Sequence, residues 1–437
     1  MAFVLSTFGR PLTASTGKTH LQQSTAGWMR SSKNFPYNIV EERFVKATKA
    51  EASRAACVEQ TPRTLGQRFF HEPEVAAPPG LREVTVRMNQ GTPLTWLANW
   101  FGSMFSSPRD WIQVEVTTHC NAACVYCPRT VLGDRWPNEH MSLSTFRRLL
   151  PELHRTPMVH LQGWGEPFLN PEFFHMVALA KKAGCRVGTT TNGMLLREEV
   201  IAKLVACQVD TVAFSLAGLD ETNNTIRRGT SLARVMEAIR ALREERERRE
   251  AAKPEIHIAY MLFRSGLNEL EAIPGFFQGL GVSHVIISTL DFALTRELEA
   301  EVIWPRTTPE FESLRSRLDA VVAEGERFGL RIHYHLPFPL PFPGIKRPVC
   351  TENVQRALCI TAQGDVSPCV YTNLSVFPMS YIRDGVERPY ERLCFGSVLQ
   401  RPLRAIWRQG DYVSFRNSFG EGRLADPCRD CPKLCGT

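Results

Sequence analysis

A chain of 437 residues is long enough for two or three domains and at least one large core. Its apolar share of 43% and charged share of 22% are those of an ordinary soluble globular protein, and no apolar run reaches the length of a bilayer span. A net charge of +7 is modest for this length and gives no argument for a nucleic-acid groove.

In chain order, the first forty residues hold no Asp or Glu before Glu41, are rich in Ser and Thr, and carry Arg10, Lys18, Arg30 and Lys33. Transit peptides share that composition, but a disordered leader or a misassigned start codon is the plainer reading. Residues 1–106 read as an N-terminal extension, partly disordered, with a linker at Pro78 and Pro79. The apolar stretch Leu94 to Phe105 suits a short helix docked on the main domain.

From Trp111 the pattern becomes regular. Segments 111–117, 158–162, 186–191, 211–216, 256–263 and 284–290 read as strands, and the intervening stretches carry helical periodicity. The helices run from a Ser142 cap to Leu153, from near Asn170, over 197–207, over 232–250 and around 267–280. Strands alternating with helices argue for right-handed βαβ units and a parallel sheet. The expected fold is α/β, a partial (β/α)6 TIM-like barrel over 107–337, although periodicity alone does not separate it from a doubly wound sheet. The run Arg243 to Arg249 mixes both charges at helical spacing and reads as a solvated, salt-bridged face. After the Pro-rich 338–344 a small Cys-rich domain, 338–437, follows.

Thirteen cysteines with no secretion signal suit metal binding in a reducing cytoplasm better than a disulfide framework. Cys120, Cys124 and Cys127, spaced Cys-x3-Cys-x2-Cys, follow the first strand, at the carboxyl end where parallel sheets build their sites. Clusters are usually held by four thiolates, so a cubane on these three would leave one iron open. A zinc knuckle is the alternative, for which His119 is a poor fourth ligand. In the C-terminal region, Cys359-x4-Gly364-x4-Cys369 and Cys428-x2-Cys431-x3-Cys435 can converge on a second metal, either iron–sulfur or a zinc ribbon. Cys350 is a reserve ligand. Cys57, Cys185 and Cys207 read as ordinary thiols.

The first cysteine motif, with Tyr126 at its aromatic place, resembles the signature of the radical S-adenosylmethionine (radical SAM) superfamily. Gly163-Trp164-Gly165-Glu166-Pro167, ending the second strand, resembles that superfamily's Gly-Gly-Glu-Pro motif, with Trp164 in place of one glycine. Thr191-Asn192-Gly193 resembles its turn after the third strand, and Ser215 occupies the place of a polar residue near the cofactor ribose. The resemblance implies a [4Fe–4S] cluster on Cys120, Cys124 and Cys127 whose free iron chelates S-adenosylmethionine. It also implies reductive cleavage to a 5′-deoxyadenosyl radical that abstracts a substrate hydrogen. Tyr126, Gly163, Gly165, Glu166, Pro167, Asn192 and Ser215 would form the cofactor site. Arg227 and Arg228 are further candidates for the cofactor carboxylate.

The distal cysteines, with Gly396-Ser-Val398 and Leu403 to Trp407 between them, resemble the SPASM or twitch auxiliary-cluster extension. One auxiliary [4Fe–4S] cluster on Cys359, Cys369, Cys428 and Cys431, with Cys435 near it, is the expectation. That resemblance points to an oxidoreductase acting in peptide or protein modification and served by a flavodoxin or ferredoxin. Dehydrogenation of a small molecule is the alternative, and a zinc-binding interaction protein is the alternative of another class.

Overall fold

A computed structural model describes residues 109–337 and 348–436. The expected N-terminal docking helix and Cys57 lie outside the described residues. The core is a nine-stranded sheet: β1 (Trp111–Val114), β2 (Met158–Leu161), β3 (Arg186–Thr191), β4 (Thr211–Leu216), β5 (Glu255–Leu262), β6 (Val282–Thr289), β7 (Arg331–Tyr334), β8 (Ala357–Ile360) and β9 (Val366–Ser367). Their order across the sheet is β9-β8-β1-β2-β3-β4-β5-β6-β7. Every adjacent pair is parallel except β8 with β9, and the sheet does not close, so the barrel is partial.

All six expected strands are present. Strands buried on both faces need apolar residues at most positions, which is why β4 (TVAFSL) is buried along its whole length. Helices such as Phe173–Lys182, Glu198–Ala206 and Leu232–Arg248 cover the outer face. Ser231 caps the last of these by accepting a bond from Arg234 N. Its exposed end carries Arg243, Glu245, Glu247, Arg248 and Arg249 in mutual ion pairs.

Two expected helices are interrupted by proline. Ser142 caps a helix as expected, accepting from Thr145 N at 3.1 Å, but that helix ends at Arg147 and a second turn covers Leu150–Leu153. Pro151 has no N–H to give the Arg147 carbonyl. Likewise the stretch around 267–280 is a 3₁₀ segment, Arg264–Ala272, followed by Ile273–Phe277, with Pro274 at the junction.

Three strands of the sheet lie beyond the six expected: β7, β8 and β9, the last pairing antiparallel with β8. β7 follows the long helix Thr308–Arg327 at one sheet edge. β8 comes from the Cys-rich region and pairs parallel with β1, Trp111 opposite Ala357 and Val114 opposite Ile360. The C-terminal cysteines are thereby brought beside the strand that carries the first cysteine loop.

Candidate active site

The loop after β1 is held from several sides. Ala123–Cys124 forms a two-residue antiparallel ladder with Arg227–Arg228, Cys124 opposite Arg227. Arg129 Nη2 donates to the carbonyls of Cys120 and Ala122, each at 2.7 Å. Cys127 N donates to Cys124 O at 3.1 Å, and Pro128 then starts a short helix with its missing N–H at no cost.

Cys120, Cys124 and Cys127 thus line one cleft. Burial and the neighbouring Cys124 and Cys120 push the Cys127 thiol up to about 12, and burial raises Cys120 as well. Cys120 and Cys127 are therefore poor thiolates until a metal takes them, and a coordinated thiol is deprotonated outright. Arg227 is the cation among them: it is buried, lines the cleft, and donates through Nη1 to the Tyr126 hydroxyl. Tyr126 also lines the cleft and packs on Phe263, ring centroids 5.4 Å apart.

The second wall comes from the ends of β2 and β3. Gly165 lies so close to the cysteine loop that a Cβ there would sit 2.4 Å from the carbonyl oxygens of Thr117 and His119. Only glycine allows that approach. Glu166 N donates to His119 O at 2.7 Å, while its carboxylate accepts from Thr191 Oγ1 at 2.7 Å and Asn192 N at 2.8 Å. Burial raises its pKa to about 7 despite those bonds. Asn192 Nδ2 donates to Asn121 Oδ1 at 2.8 Å and lies 3.8 Å from Cys120 Sγ.

The other residues expected here sit less directly on the cleft. Gly163 is pressed against Glu115, where an added Cβ would be 2.3 Å from Glu115 Cγ. Pro167, itself buried, opens a 3₁₀ turn behind Glu166. Ser215 is buried, its hydroxyl has no hydrogen-bond partner among the described residues, and it is not part of the cleft lining.

Several residues that sequence reasoning missed complete the walls. Trp164 and Tyr371 meet edge to face across the cleft, centroids 5.9 Å apart, and Asp291 lies beside them. Asp291 directly follows the sixth expected strand, a position that could have marked it. Buried Glu115, at the end of β1, accepts from Trp164 N at 3.0 Å and Ala362 N at 3.2 Å, so it ties β2's turn to the C-terminal hairpin. Burial raises its pKa to about 7.

Around the expected C-terminal thiols the fold also brings Cys350, the reserve ligand. Strand Pro348–Cys350 pairs antiparallel with Leu434–Gly436, placing Cys350 opposite Leu434, and burial together with Cys431 and Cys369 raises its thiol. Cys428 in turn neighbours Cys369 and Cys431. Cys359 borders the same group. It neighbours Cys369 but packs on Val370, Trp164 and Tyr371, because β8 pins it against β1. Cys435 falls opposite Val349 in the small ladder. Cys185 behaves as an ordinary buried thiol, donating to the carbonyls of Leu153 and Thr156.

An open parallel barrel with three thiols on the loop after its first strand, and a second thiol group docked beside it, defines an iron–sulfur enzyme built in two parts. The chain belongs to the radical SAM superfamily and carries a SPASM iron–sulfur cluster-binding domain: the two family models match residues 114–261 and 350–432. A tungsten-containing aldehyde ferredoxin oxidoreductase cofactor-modifying protein of Pyrococcus furiosus is 28% identical over 328 residues, 74% of this chain and 86% of that protein. A PqqA peptide cyclase of Xanthomonas axonopodis pv. citri is 25% identical over 341 residues, covering 74% and 80%. The crystal structure of Streptococcus suis SuiB bound to S-adenosylmethionine shares the fold, with a TM-score of 0.53 at 13% identity over 81% of this chain and 80% of that one.

The family's cofactors are a [4Fe–4S] cluster, S-adenosylmethionine and auxiliary iron–sulfur chemistry. The donors fit. Three thiols, the carbonyl-lined gap at Gly165 and the Arg227 cation line the first site, and Cys350, Cys369, Cys428 and Cys431 are neighbours in the second thiol group. Among the described residues no helix is long and apolar enough to cross a membrane.

Proposed function

We propose that the chain is a peptide-modifying oxidoreductase of this superfamily, acting on a peptide or protein substrate in the cytoplasm with electrons from a flavodoxin or ferredoxin. The observation that carries the reading is the shared cleft, in which the cysteine loop of the barrel faces Tyr371 of the C-terminal domain. Units 107–337 and 338–437 would then act together, behind the N-terminal extension of 1–106. The relative named as a peptide cyclase supports the substrate class.

Cys120, Cys124 and Cys127 would hold the first cluster, and Cys350, Cys369, Cys428 and Cys431 a single auxiliary cluster. When bound, the first cluster and S-adenosylmethionine supply one-electron cleavage of the sulfonium and a carbon radical that takes a hydrogen atom from substrate. The chain's own groups do the rest. Arg227 offers a bidentate cation to the cofactor carboxylate. Gly165 and Glu166 bring carbonyl and carboxylate oxygens to its ammonium. Asn192 braces Cys120, and Tyr126 holds Arg227 in place. Trp164 and Tyr371 wall off water. Asp291 presents a carboxylate that can accept a substrate proton at Oδ1 while Lys433 holds Oδ2.

The test is co-expression with the small open reading frames adjoining the gene, followed by mass spectrometry of each peptide. A mass change that needs both the peptide and an intact Cys124 supports the reading. Turnover of a small alcohol or amine with every peptide unchanged would overturn it.

A further inference from the structure

At the amino-terminal ends of β5, β6 and β7, away from the cysteine cleft, the chain gathers three histidines and a carboxylate that the proposed chemistry does not use. Glu255 and His257 are two apart on β5 and therefore share a face. Regular pairing would set His257 opposite Ser283. Instead the register shifts between Ile256 and His257: Ile256 pairs with Val282 and His257 with His284. Bulges re-aim side chains in this way. The two rings end up with centroids 4.5 Å apart.

Glu255 Oε2 lies 3.3 Å from His257 Nε2. One donor atom from each of Glu255, His257 and His284 lies within 4.8 Å of the other two. His284 Nδ1 is hydrogen-bonded at 3.0 Å to His333 Nε2 on β7. Such an outer bond fixes the tautomer and orientation of a ligating imidazole. His257 is fully buried and His284 is 8% exposed, so both rings are already fixed in place, while Glu255 is half-buried at the rim and open to an arriving ion.

We propose that Glu255, His257 and His284 bind a divalent transition-metal ion, zinc by preference, with water as the fourth ligand and His333 as the outer partner of His284. Two imidazoles and one carboxylate are a donor set that zinc accepts in tetrahedral geometry, whereas calcium and magnesium want oxygen throughout. The ion would pin β5 to β6 next to the open edge of the barrel at β7. Lys253 pairs with Glu255 in this structure and is released when the ion arrives. With Arg331 beside His284, it holds the affinity below that of a closed cysteine site.

The experiment uses full-length holoprotein, reconstituted with iron and sulfide, stripped of loose metal and dialysed against buffered zinc. Wild type should take up about one zinc per chain more than His284→Gln or Glu255→Gln, with iron unchanged. Equal zinc in all three would overturn the site. X-ray absorption at the zinc edge of wild type decides independently, should the variants fail to fold. Nitrogen and oxygen neighbours alone support the assignment. Sulfur neighbours place the zinc on cysteines and overturn it.

Discussion

Lys433 Nζ lies 2.6 Å from Asp291 Oδ2, and the two side chains, 1% and 4% exposed, join the Cys428–Cys431 loop to the wall of the cleft. Lys433 also sits over the Tyr371 ring at 5.9 Å. Breaking a buried pair from one side leaves an uncompensated charge and costs about 3–5 kcal/mol. Lys433→Met is therefore expected to lower the thermal midpoint of anaerobic holoprotein sharply, and Asp291→Asn in the same chain to restore most of it. A double variant no more stable than Lys433→Met would show that the pair is not the cause.

Gly165→Ala inserts a Cβ against two backbone carbonyls that cannot rotate away. The cysteine loop or the β2 turn must shift. Equilibrium dialysis should show S-adenosylmethionine binding weakened by about tenfold or more, which is about 1.4 kcal/mol, with C-terminal iron retained. Unchanged binding contradicts the close approach.

Glu115 has a pKa of about 7 in the folded chain against an ordinary 4.5, because burial disfavours its charge. The folded state therefore binds this proton more tightly than the unfolded chain. The resulting stability is complete below the unfolded value and is lost as the pH rises toward about 7. Over that window Glu115 alone lowers the unfolding free energy by at most about 1.4 kcal/mol per pH unit, which lowers the thermal midpoint of wild type. Glu115→Gln should flatten the profile, and equal slopes in the two proteins would refute this cause.

Cys350→Ala should lose the auxiliary iron, and Cys359→Ala should keep it. Iron and sulfide content with the visible absorption of each reconstituted variant decides the matter. The opposite pattern restores the ligand set that spacing suggested.

That contrast also marks how far the sequence could be read. The six strands from Trp111 to Leu290 were legible because alternation and β-branched runs are local signals. β7 was not: RIHY alternates, but four residues beginning with an exposed arginine are too few to stand out from a loop. The docking of β8 on β1 was hidden, because a parallel pairing so distant in sequence leaves no local trace. The three cysteines of the first loop could be named because their spacing is contiguous. Cys350 and Cys359 both precede Gly364 and Cys369, so spacing could not choose between them. The pairing of Cys350 with Leu434 across the small ladder is what brings Cys350 into the proposal. Asp291 and Lys433 form a site group only once two distant loops meet.

The most direct test of the account is release of 5′-deoxyadenosine from S-adenosylmethionine by anaerobically reconstituted, reduced protein, measured together with iron and zinc. Wild type should release it. Cys124→Ala should release none while keeping its C-terminal iron. Stoichiometric zinc without iron, and no 5′-deoxyadenosine from wild type, would contradict the account.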